Sequence, residues 1–294
     1  MTLPAISAST IQLLRFHFSL LLMPVFWFAL SQVPLTNPSS AVLVFIILHV
    51  LVYPASNGYN SYMDKDSTSI GGIQQPLPPT RQLFRVTVLM DCCAVLLGFA
   101  VSYLFALGVL CYILVSKAYS YRGIRLKKYP VIGYLTVTFF QGAFTFGLVY
   151  MGCSAGETVW APGVAMLAAA LLIGGFYPLT QIYQHRADLK DGVKTISFLL
   201  GYRGTFIFCA LIYGIALGTL GIYFFSTFQQ SAFYLFVICM LPAALYFIIW
   251  AKKVWHDAAM ADYSHAMRMN TIAALCTNIA FILIFILNHF EQNR

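Results

Sequence analysis

The segment AVLVFIILHVLVYPASNGYNSYMDKDSTSIGG, residues 41–72, changes character halfway along its length. Residues 41–56 are almost wholly apolar, whereas residues 57–72 contain two aspartates, two asparagines and a pair of glycines. The apolar run supplies most of the length of a membrane-spanning helix, which needs about 20 residues. The pattern therefore predicts a helix that crosses a bilayer and delivers a polar segment to the membrane surface.

The composition of the whole chain also indicates a membrane protein. Of its 294 residues, 60% are hydrophobic and 9% are charged, and the mean hydropathy is +0.80. Soluble domains carry about 25% charged residues, so a surface facing water cannot be built here. Nine stretches are long enough to cross a bilayer, at about residues 11–32, 40–59, 84–104, 104–121, 131–151, 161–181, 205–226, 231–251 and 271–289. We expect a tight turn around Ala106, Leu107 and Gly108 to separate the third span from the fourth.

The basic residues are distributed unevenly about these spans. With a cytosolic N-terminus, sixteen of the seventeen Lys and Arg residues lie in or beside cytosolic segments, and only Arg294 lies opposite. Lys and Arg accumulate on the cytoplasmic side of membrane proteins. The sequence therefore predicts a multi-pass protein of the cytoplasmic membrane with its N-terminus in the cytosol. Topology then explains the formal net charge of +8, and we expect the lipid bilayer, and no nucleic acid, as a partner.

Two acidic pairs occupy equivalent places in the chain. Asp64 and Asp66 follow the second span, and Asp188 and Asp191 follow the sixth. A side-chain amide precedes the first acid of each pair by four positions, which places each couple on one helix face. These amides belong to Asn60 and Gln184. The recurrence predicts an all-α integral membrane protein whose nine helices form two four-helix halves plus one further helix, around a central cavity.

The acidic pairs and their amides are candidate metal ligands. Carboxylate and amide oxygens without His or Cys suit Mg²⁺, which keeps several waters and often binds phosphate oxygens as well. Two Mg²⁺ ions and a diphosphate would relieve the repulsion among four carboxylates facing one cavity. The alternative is that these are solvated carboxylates at the ends of membrane spans. The candidate ligands are Asn60, Asp64, Asp66, Asp188 and Asp191.

Several segments together resemble the UbiA superfamily of intramembrane prenyltransferases. Residues 60–64 resemble the start of its first Asp-rich motif, N-x-x-x-D-x-x-x-D. ADLKDGVKTISFLLG (187–201) resembles the second motif, D-x-x-x-D, with its trailing G-x-K-T segment. PLPPT (76–80) and YSYRGIRLKKYP (119–130) are similar to the Pro-rich stretch and the basic loop of the family.

Each of the two motifs lacks one of its acidic residues in this sequence. Thr68 stands at the third position of the first motif, and Gln184 stands at the first position of the second. Asp66 and Asp191 lie one turn or less from the remaining acids and are placed to substitute for the missing carboxylates. Four carboxylates therefore remain for Mg²⁺.

The resemblance implies a Mg²⁺-dependent prenyltransferase that moves an isoprenoid chain from a prenyl diphosphate to a lipophilic acceptor, an aromatic compound or a quinone precursor. It implies one UbiA-like membrane domain over residues 1–294, with a first Asp-rich site at 57–72, a second at 181–195 and the active site on the cytosolic side. The expected catalytic residues are Asp64, Asp188, Arg122 and Lys194. The expected substrate-binding residues are Asn57, Asn60, Tyr119, Arg125, Lys128 and Gln184.

Other functions remain open on the sequence alone. A UbiA-type terpene cyclase would capture the carbocation within its own chain, and a cation-coupled transporter or a non-catalytic lipid-binding protein would carry out no such chemistry. Prenyl transfer predicts Mg²⁺-dependent diphosphate release with an acceptor, cyclisation predicts release without one, and transport predicts none.

Asp91 lies one to two turns inside the third span. An unpaired charge there costs about 2.5–3.5 kcal/mol on insertion scales, so we expect the side chain to face the helix bundle. It could pair with a basic residue, act as a base near the acceptor, or make a structural hydrogen bond.

Overall fold

A computed structural model describes residues 6–156 and 160–292, and these residues are helical, with isolated β-bridges as their only extended pairing. Nine helices in this part of the chain are long and apolar enough to span a membrane. We name them α1 (Ala8–Ser31), α2 (Pro38–Asp64), α3 (Arg81–Val101), α4 (Tyr103–Ser120), α5 (Pro130–Cys153), α6 (Gly163–Gln181), α7 (Ile196–Ser226), α8 (Gln230–His256) and α9 (Tyr263–His289). The predicted all-α membrane fold with nine spans is confirmed.

Several spans contain segments that are not regular α-helix. α1 has a 3₁₀ segment at Phe16–Leu21, and α7 is kinked at Gly201. α2 and α5 each contain one π-helical segment, at Ile46–Val52 and Phe139–Phe144 respectively. The remaining short elements are the α-helix His185–Lys190 and the 3₁₀ turns Leu126–Lys128 and Ala258–Met260.

The boundary between α3 and α4 differs from the sequence prediction. The break is the single residue Ser102, which has an extended backbone, and Gly108 lies inside α4. Ser102 Oγ accepts a hydrogen bond from the Phe105 backbone N–H at 3.0 Å. A serine that caps the next helix can end one helix and begin another without a longer turn. The predicted turn at 106–108 is therefore wrong.

The helices also extend beyond the apolar stretches that predicted them. α2 continues to Asp64, α7 begins at Ile196, and α9 begins at Tyr263. The turns added to α2 and α9 contain many polar residues, so a boundary drawn from hydrophobicity alone omits them, whereas α7 gains ISFLLGYRG (196–204), which includes the kink at Gly201. At α2, the extension carries the first acidic residue on the helix itself.

The chain forms two compact units. The first unit contains the start of α1, up to Leu20, and residues 42–126. The second contains residues 21–41 and the chain from Lys127 onwards. The predicted arrangement into two four-helix halves plus one helix, around a central cavity, stays a prediction, as does the single domain over residues 1–294.

The core of the first unit includes part of the first Asp-rich site. Ile70 and Ile73 are buried against Leu13 and Leu14 of α1 and Leu83 of α3. Burial of these apolar side chains holds the loop that follows α2 in place. Each Å² of apolar surface removed from water stabilises the fold by about 25 cal/mol.

The second unit has an aromatic core and a close helix approach. Phe28 is fully buried and stacks on Phe281 at a ring separation of 4.4 Å. In the π segment of α5, Gly142 lies against the α6 backbone. A Cβ at this position would overlap Ala170 Cα, which is backbone and cannot rotate away. Glycine is therefore required for α5 and α6 to pack at this distance.

Gly142→Ala is expected to destabilise the protein by about 1–3 kcal/mol, the usual cost of forcing an extra methyl group into a packed interface. The apparent melting temperature of the purified protein in detergent measures this change. Gly218→Ala is the matched control, because no atom lies within 4 Å of a Cβ built there. Equal melting temperatures for the Gly142 variant and the wild type would contradict the close approach.

Candidate functional site

The last turns of α2 carry a polar face. Asn57, Asn60, Ser61 and Asp64 are spaced three or four residues apart and share that face. Asn57 Nδ2 and Ser61 Oγ are buried, and neither atom has a hydrogen-bond partner among the described residues. Buried polar atoms in native proteins are nearly always hydrogen-bonded, so this face is suited to bind a polar ligand. Ser61 was missed by the sequence analysis because it lies between the motif positions.

The chain around the end of α4 is tied to this face by hydrogen bonds. Ser120 Oγ donates to Asn60 Oδ1 at 2.7 Å. Arg122 Nε donates to the Met63 carbonyl at 2.8 Å, and Arg122 Nη2 donates to the Asp64 carbonyl at 3.3 Å. A cation is stabilised at a helix C-terminus by the helix dipole. The structure thus brings together the predicted residues Asn60, Asp64 and Arg122.

Asp64 forms an ion pair with Arg125, another predicted residue. Arg125 Nη2 lies 3.5 Å from Asp64 Oδ1, and the two side chains are 10% and 6% exposed. The backbone of Arg125 is left-handed, with φ 53°. A non-glycine residue adopts this conformation at an energetic cost and keeps it where the surroundings enforce it. The strained backbone therefore places a buried guanidinium beside the carboxylate.

The rest of the first Asp-rich site is a closed loop. Asp66 is half-buried and Thr68 is exposed. Ile70 and Ile73 exchange two backbone hydrogen bonds, each 2.9 Å long, around Gly71 and Gly72. This turn holds Asp66 in a loop anchored at both ends.

Arg15 is a buried residue of this site that the sequence analysis treated only as a topological cation. Its side chain donates to the Gly71 carbonyl and to the Asn57 carbonyl, both at 3.2 Å. It therefore fixes the loop against α2. No motif marks this residue, since its partners are backbone atoms.

The second Asp-rich site is built on the short helix His185–Lys190. The Asp188 N–H donates to the Gln184 carbonyl at 2.9 Å, so the two residues are one helical turn apart, as predicted. The Val193 N–H donates to the Asp188 carbonyl at 2.8 Å, and Gly192 has φ 71°, which glycine adopts without strain. A glycine turn therefore follows the two acids directly.

The other predicted residues differ in exposure. Asp188, Asp191 and Gln184 are half-buried, and Lys194 is exposed. Gln184 Nε2 donates to the Tyr183 hydroxyl at 3.2 Å. Two further predicted residues lie outside the second Asp-rich site. Tyr119 is half-buried in the last turn of α4. Lys128 is exposed, and its Nζ lies 4.9 Å from the ring centre of Tyr129.

His185 anchors the second site to the start of α7. Its Nε2 lies 2.8 Å from Ser197 Oγ, which lies 3.0 Å from Thr205 Oγ1. The imidazole stacks on Tyr202 at a ring separation of 5.0 Å. Burial lowers the pKa of His185 to about 4, so the ring is neutral at pH 7. The sequence analysis did not single out this residue, because histidine is not part of the Asp-rich pattern.

No three His, Cys, Asp or Glu side chains within residues 6–156 and 160–292 are grouped so that they could hold a metal ion. A metal at either Asp-rich site would therefore take amide, water or phosphate oxygens beside its carboxylates. Mg²⁺ is commonly bound in this way, so the donor chemistry of both sites fits Mg²⁺.

Asp91 of α3 is paired with Lys117 of α4 inside the first unit. The Asp91 Oδ2–Lys117 Nζ distance is 2.6 Å. The expectation that Asp91 could pair with a basic residue is confirmed. The charge pattern predicts Lys117 to be a cytosolic cation, whereas it lies within the α4 span, with Nζ 4.1 Å from the Tyr59 ring centre. Charge counting could not show this, since it assigns every lysine near a span end to the surface.

The fold and the site define a class of protein, a multi-pass membrane protein with carboxylate-bearing segments at the ends of two spanning helices. Residues 21–272 match the UbiA prenyltransferase family, and the chain belongs to that family. The predicted family membership is confirmed. The roles assigned to individual site residues stay predictions.

Solved structures show the same architecture at low sequence identity. A UbiA homologue from Archaeoglobus fulgidus bound to DMAPP and Mg²⁺ is 18% identical, with a TM-score of 0.69 over 94% of this chain and 99% of that chain. A UbiA homologue from Aeropyrum pernix K1 is 14% identical, with a TM-score of 0.69 over 92% and 98%. A structure of digeranylgeranylglyceryl phosphate synthase is 14% identical, with a TM-score of 0.60 over 95% and 96%. No curated protein sequence matches the chain. These likenesses establish the fold.

Acidification is expected to destabilise the protein through His185. The pKa of His185 is about 6.5 in the unfolded chain and about 4 in the folded protein, so between these pH values only the unfolded state binds the proton. The free energy of unfolding therefore falls by about 1.4 kcal/mol for each pH unit of acidification in this range. Melting temperatures in detergent across this range measure the slope. His185→Gln should reduce it, whereas the exposed control His256→Gln should leave it unchanged. Parallel slopes for His185→Gln and the wild type would contradict this assignment.

Proposed function

We propose that the protein is a Mg²⁺-dependent prenyltransferase that moves an isoprenoid chain from a prenyl diphosphate to a lipophilic acceptor, an aromatic compound or a quinone precursor. The observation that carries the proposal is the polar face of α2. There a buried carboxylate, and two buried polar atoms that have no hydrogen-bond partner in the described part of the chain, end an otherwise apolar helix. A prenyl diphosphate has the same division, with an anionic head and an apolar tail. The A. fulgidus homologue bound to DMAPP and Mg²⁺ supports this ligand class.

The donor head group is assigned to the two Asp-rich sites. Asn60, Asp64 and Asp66 would hold Mg²⁺ at the first site, and Asp188 and Asp191 would hold it at the second. Bound Mg²⁺ neutralises the diphosphate and makes it a better leaving group. Gln184, which replaces a motif acid, contributes a neutral oxygen.

The remaining polar side chains recognise phosphate oxygens. Asn57 Nδ2 and Ser61 Oγ supply hydrogen-bond donors that have no partner among the described residues. Arg125 forms an ion pair with Asp64 and offsets the charge of its carboxylate. A guanidinium can also bind phosphate oxygens through two parallel hydrogen bonds.

Charge that develops on the departing diphosphate needs cations that can approach it. Arg122, Lys128 and Lys194 are exposed and are assigned to this role, with Tyr119 as a further contact. Lys128 and Lys194 can approach the substrate without first breaking a buried pair, whereas Arg122 is held at the end of α2 by its hydrogen bonds to the Met63 and Asp64 carbonyls.

Diphosphate release by the purified protein tests the function. Geranyl, farnesyl and geranylgeranyl diphosphates are supplied with Mg²⁺ or EDTA, alone and with hydroxybenzoate, dihydroxynaphthoate and glycerol phosphate acceptors. We expect Mg²⁺-dependent release that falls about 100-fold or more in Asp64→Asn and Asp188→Asn, since each removes charge from a metal site. Asp257→Asn, an exposed carboxylate in the α8–α9 connection, is the control.

Mass spectrometry of the lipid extract identifies the product. A prenylated acceptor supports transfer, whereas a cyclic hydrocarbon formed without acceptor would assign the protein to the terpene cyclases of the family. Release that survives EDTA, or that is unchanged in both Asp variants, would contradict the proposal.

We propose a cytosolic N-terminus and a cytosolic active site, supported by the bias of the basic residues and by the nine spans. An odd number of spans places the two termini on opposite sides. In bacterial cells, alkaline phosphatase fused to the C-terminus should be active, and the same enzyme fused to the N-terminus should be inactive. The reverse pattern would contradict the orientation.

A further inference from the structure

The ion pair between Asp91 and Lys117 is not used by the metal sites proposed above. It lies in the first unit, where α2, α3 and α4 contribute Tyr59, Asp91 and Lys117 respectively. The Asp91 side chain is 10% exposed and that of Lys117 is 19% exposed. A buried ion pair of this kind adds little to stability, because desolvation offsets the attraction between the charges. The pair therefore calls for an explanation beyond packing.

One oxygen of Asp91 is not satisfied by the pair. Oδ2 faces Lys117 Nζ, whereas Oδ1 is buried and has no hydrogen-bond partner among the described residues. Leaving a charged acceptor buried and unsatisfied is costly. A ligand that brings an O–H or another proton donor to Oδ1 would remove that cost.

The pair lies one layer deeper than the first Asp-rich site. Lys117 precedes Ser120 by three residues, which is about 4.5 Å along a helix axis. Ser120 is bonded to Asn60, and Tyr59 directly precedes Asn60 in α2. If the diphosphate binds at the level of Asn60 and Asp64, the carbon attached to it lies at about the level of the pair. This is where the bond of the proposed reaction breaks and forms.

We propose that Asp91 is the base of the reaction: its Oδ1 receives the proton that is lost when the prenyl cation is captured. This inference rests on the proposed prenyl transfer. Lys117 is a positioning residue, since its ammonium pairs with Oδ2 and leaves Oδ1 to face the acceptor. The Tyr59 ring keeps the ammonium in place through a cation–π contact.

The step balances without a further reactant. The C1–O bond of the prenyl diphosphate breaks, and its electron pair leaves with the diphosphate. The acceptor's nucleophilic carbon or oxygen forms a bond to C1, and the proton on that atom passes to Asp91. The electron pair of the broken bond to hydrogen stays with the acceptor. In cyclisation, the same carboxylate would take a proton from the cation itself.

The test separates ionisation from proton loss. Geranyl diphosphate labelled with ¹⁸O in the bridging position reports ionisation, because the label scrambles into the nonbridging positions whenever the cation and diphosphate recombine. Product formation, measured in the same reaction with hydroxybenzoate or dihydroxynaphthoate and with water alone, reports capture. In Asp91→Asn we expect product formation to fall about 100-fold or more, as for loss of a general base. Scrambling should persist, so the ratio of scrambling to product rises.

Four variants distinguish a base from a structural pair. The exchanged pair Asp91→Lys/Lys117→Asp keeps opposite charges but moves the carboxylate to α4, and it should be as slow as Asp91→Asn. The neutral pair Asp91→Asn/Lys117→Met should also be slow. Formate should restore product formation in Asp91→Ala by about tenfold or more, since it supplies the missing carboxylate. The control is Thr87→Val, which removes a buried hydroxyl group one helical turn before Asp91 in α3. It should leave turnover within about twofold of the wild type.

Binding of an unreactive thio-analogue of geranyl diphosphate in the presence of Mn²⁺, followed by electron paramagnetic resonance, shows that each variant is folded. We expect Asp91→Asn to bind the analogue as the wild type does, whereas Asp64→Asn loses binding. Wild-type turnover in Asp91→Asn or in the exchanged pair would overturn the inference and leave the proposed function standing. Loss of scrambling together with product, without rescue by formate, would also overturn it. Absence of both scrambling and product in the wild type would overturn the proposed function itself.

Discussion

The buried ion pair between Asp64 and Arg125 is the interaction on which the first Asp-rich site depends. The Asp64 side chain is 6% exposed, and burying a carboxylate is costly unless a cation is paired with it. The chain after α4 must therefore return to the end of α2, and it does so in a strained conformation at Arg125. The bonds from Ser120 to Asn60 and from Arg122 to the last carbonyls of α2 follow from the same path. One electrostatic requirement thus shapes the loop that carries the basic residues.

The two units stabilise their buried polar groups in different ways. The first unit uses ion pairs, Asp64 with Arg125 and Asp91 with Lys117. The second unit holds its Asp-rich segment through a neutral histidine and two buried hydroxyl groups, and its acids are only half-buried. These neutral hydrogen bonds anchor the segment without involving its carboxylates. The carboxylates of the second site therefore remain more accessible to water and to ligands.

The sequence predicted what depends on hydrophobic length and on motif spacing. The nine spans, the polar end of α2 and the turn spacing of Gln184 and Asp188 all follow from such local patterns. It did not predict the break at Ser102, because a single capping serine inside an apolar run leaves no compositional signal. Lys117, Arg15 and His185 were also missed in their structural roles, since their partners lie far away in the chain or are backbone atoms. An intramembrane acid such as Asp91 indicates that a partner exists, but not which residue it is.

The one-residue connection at Ser102 also bears on how the chain enters the membrane. With no loop between them, α3 and α4 form a helical hairpin that can partition into the bilayer as a single element. Alone, α3 would place Asp91 in the hydrocarbon as an uncompensated charge, at about 2.5–3.5 kcal/mol on insertion scales. Inserted together, Asp91 and Lys117 travel as a neutral couple. The ion pair that places a carboxylate in the bundle thus also lowers the free-energy cost of inserting α3 and α4 into the membrane.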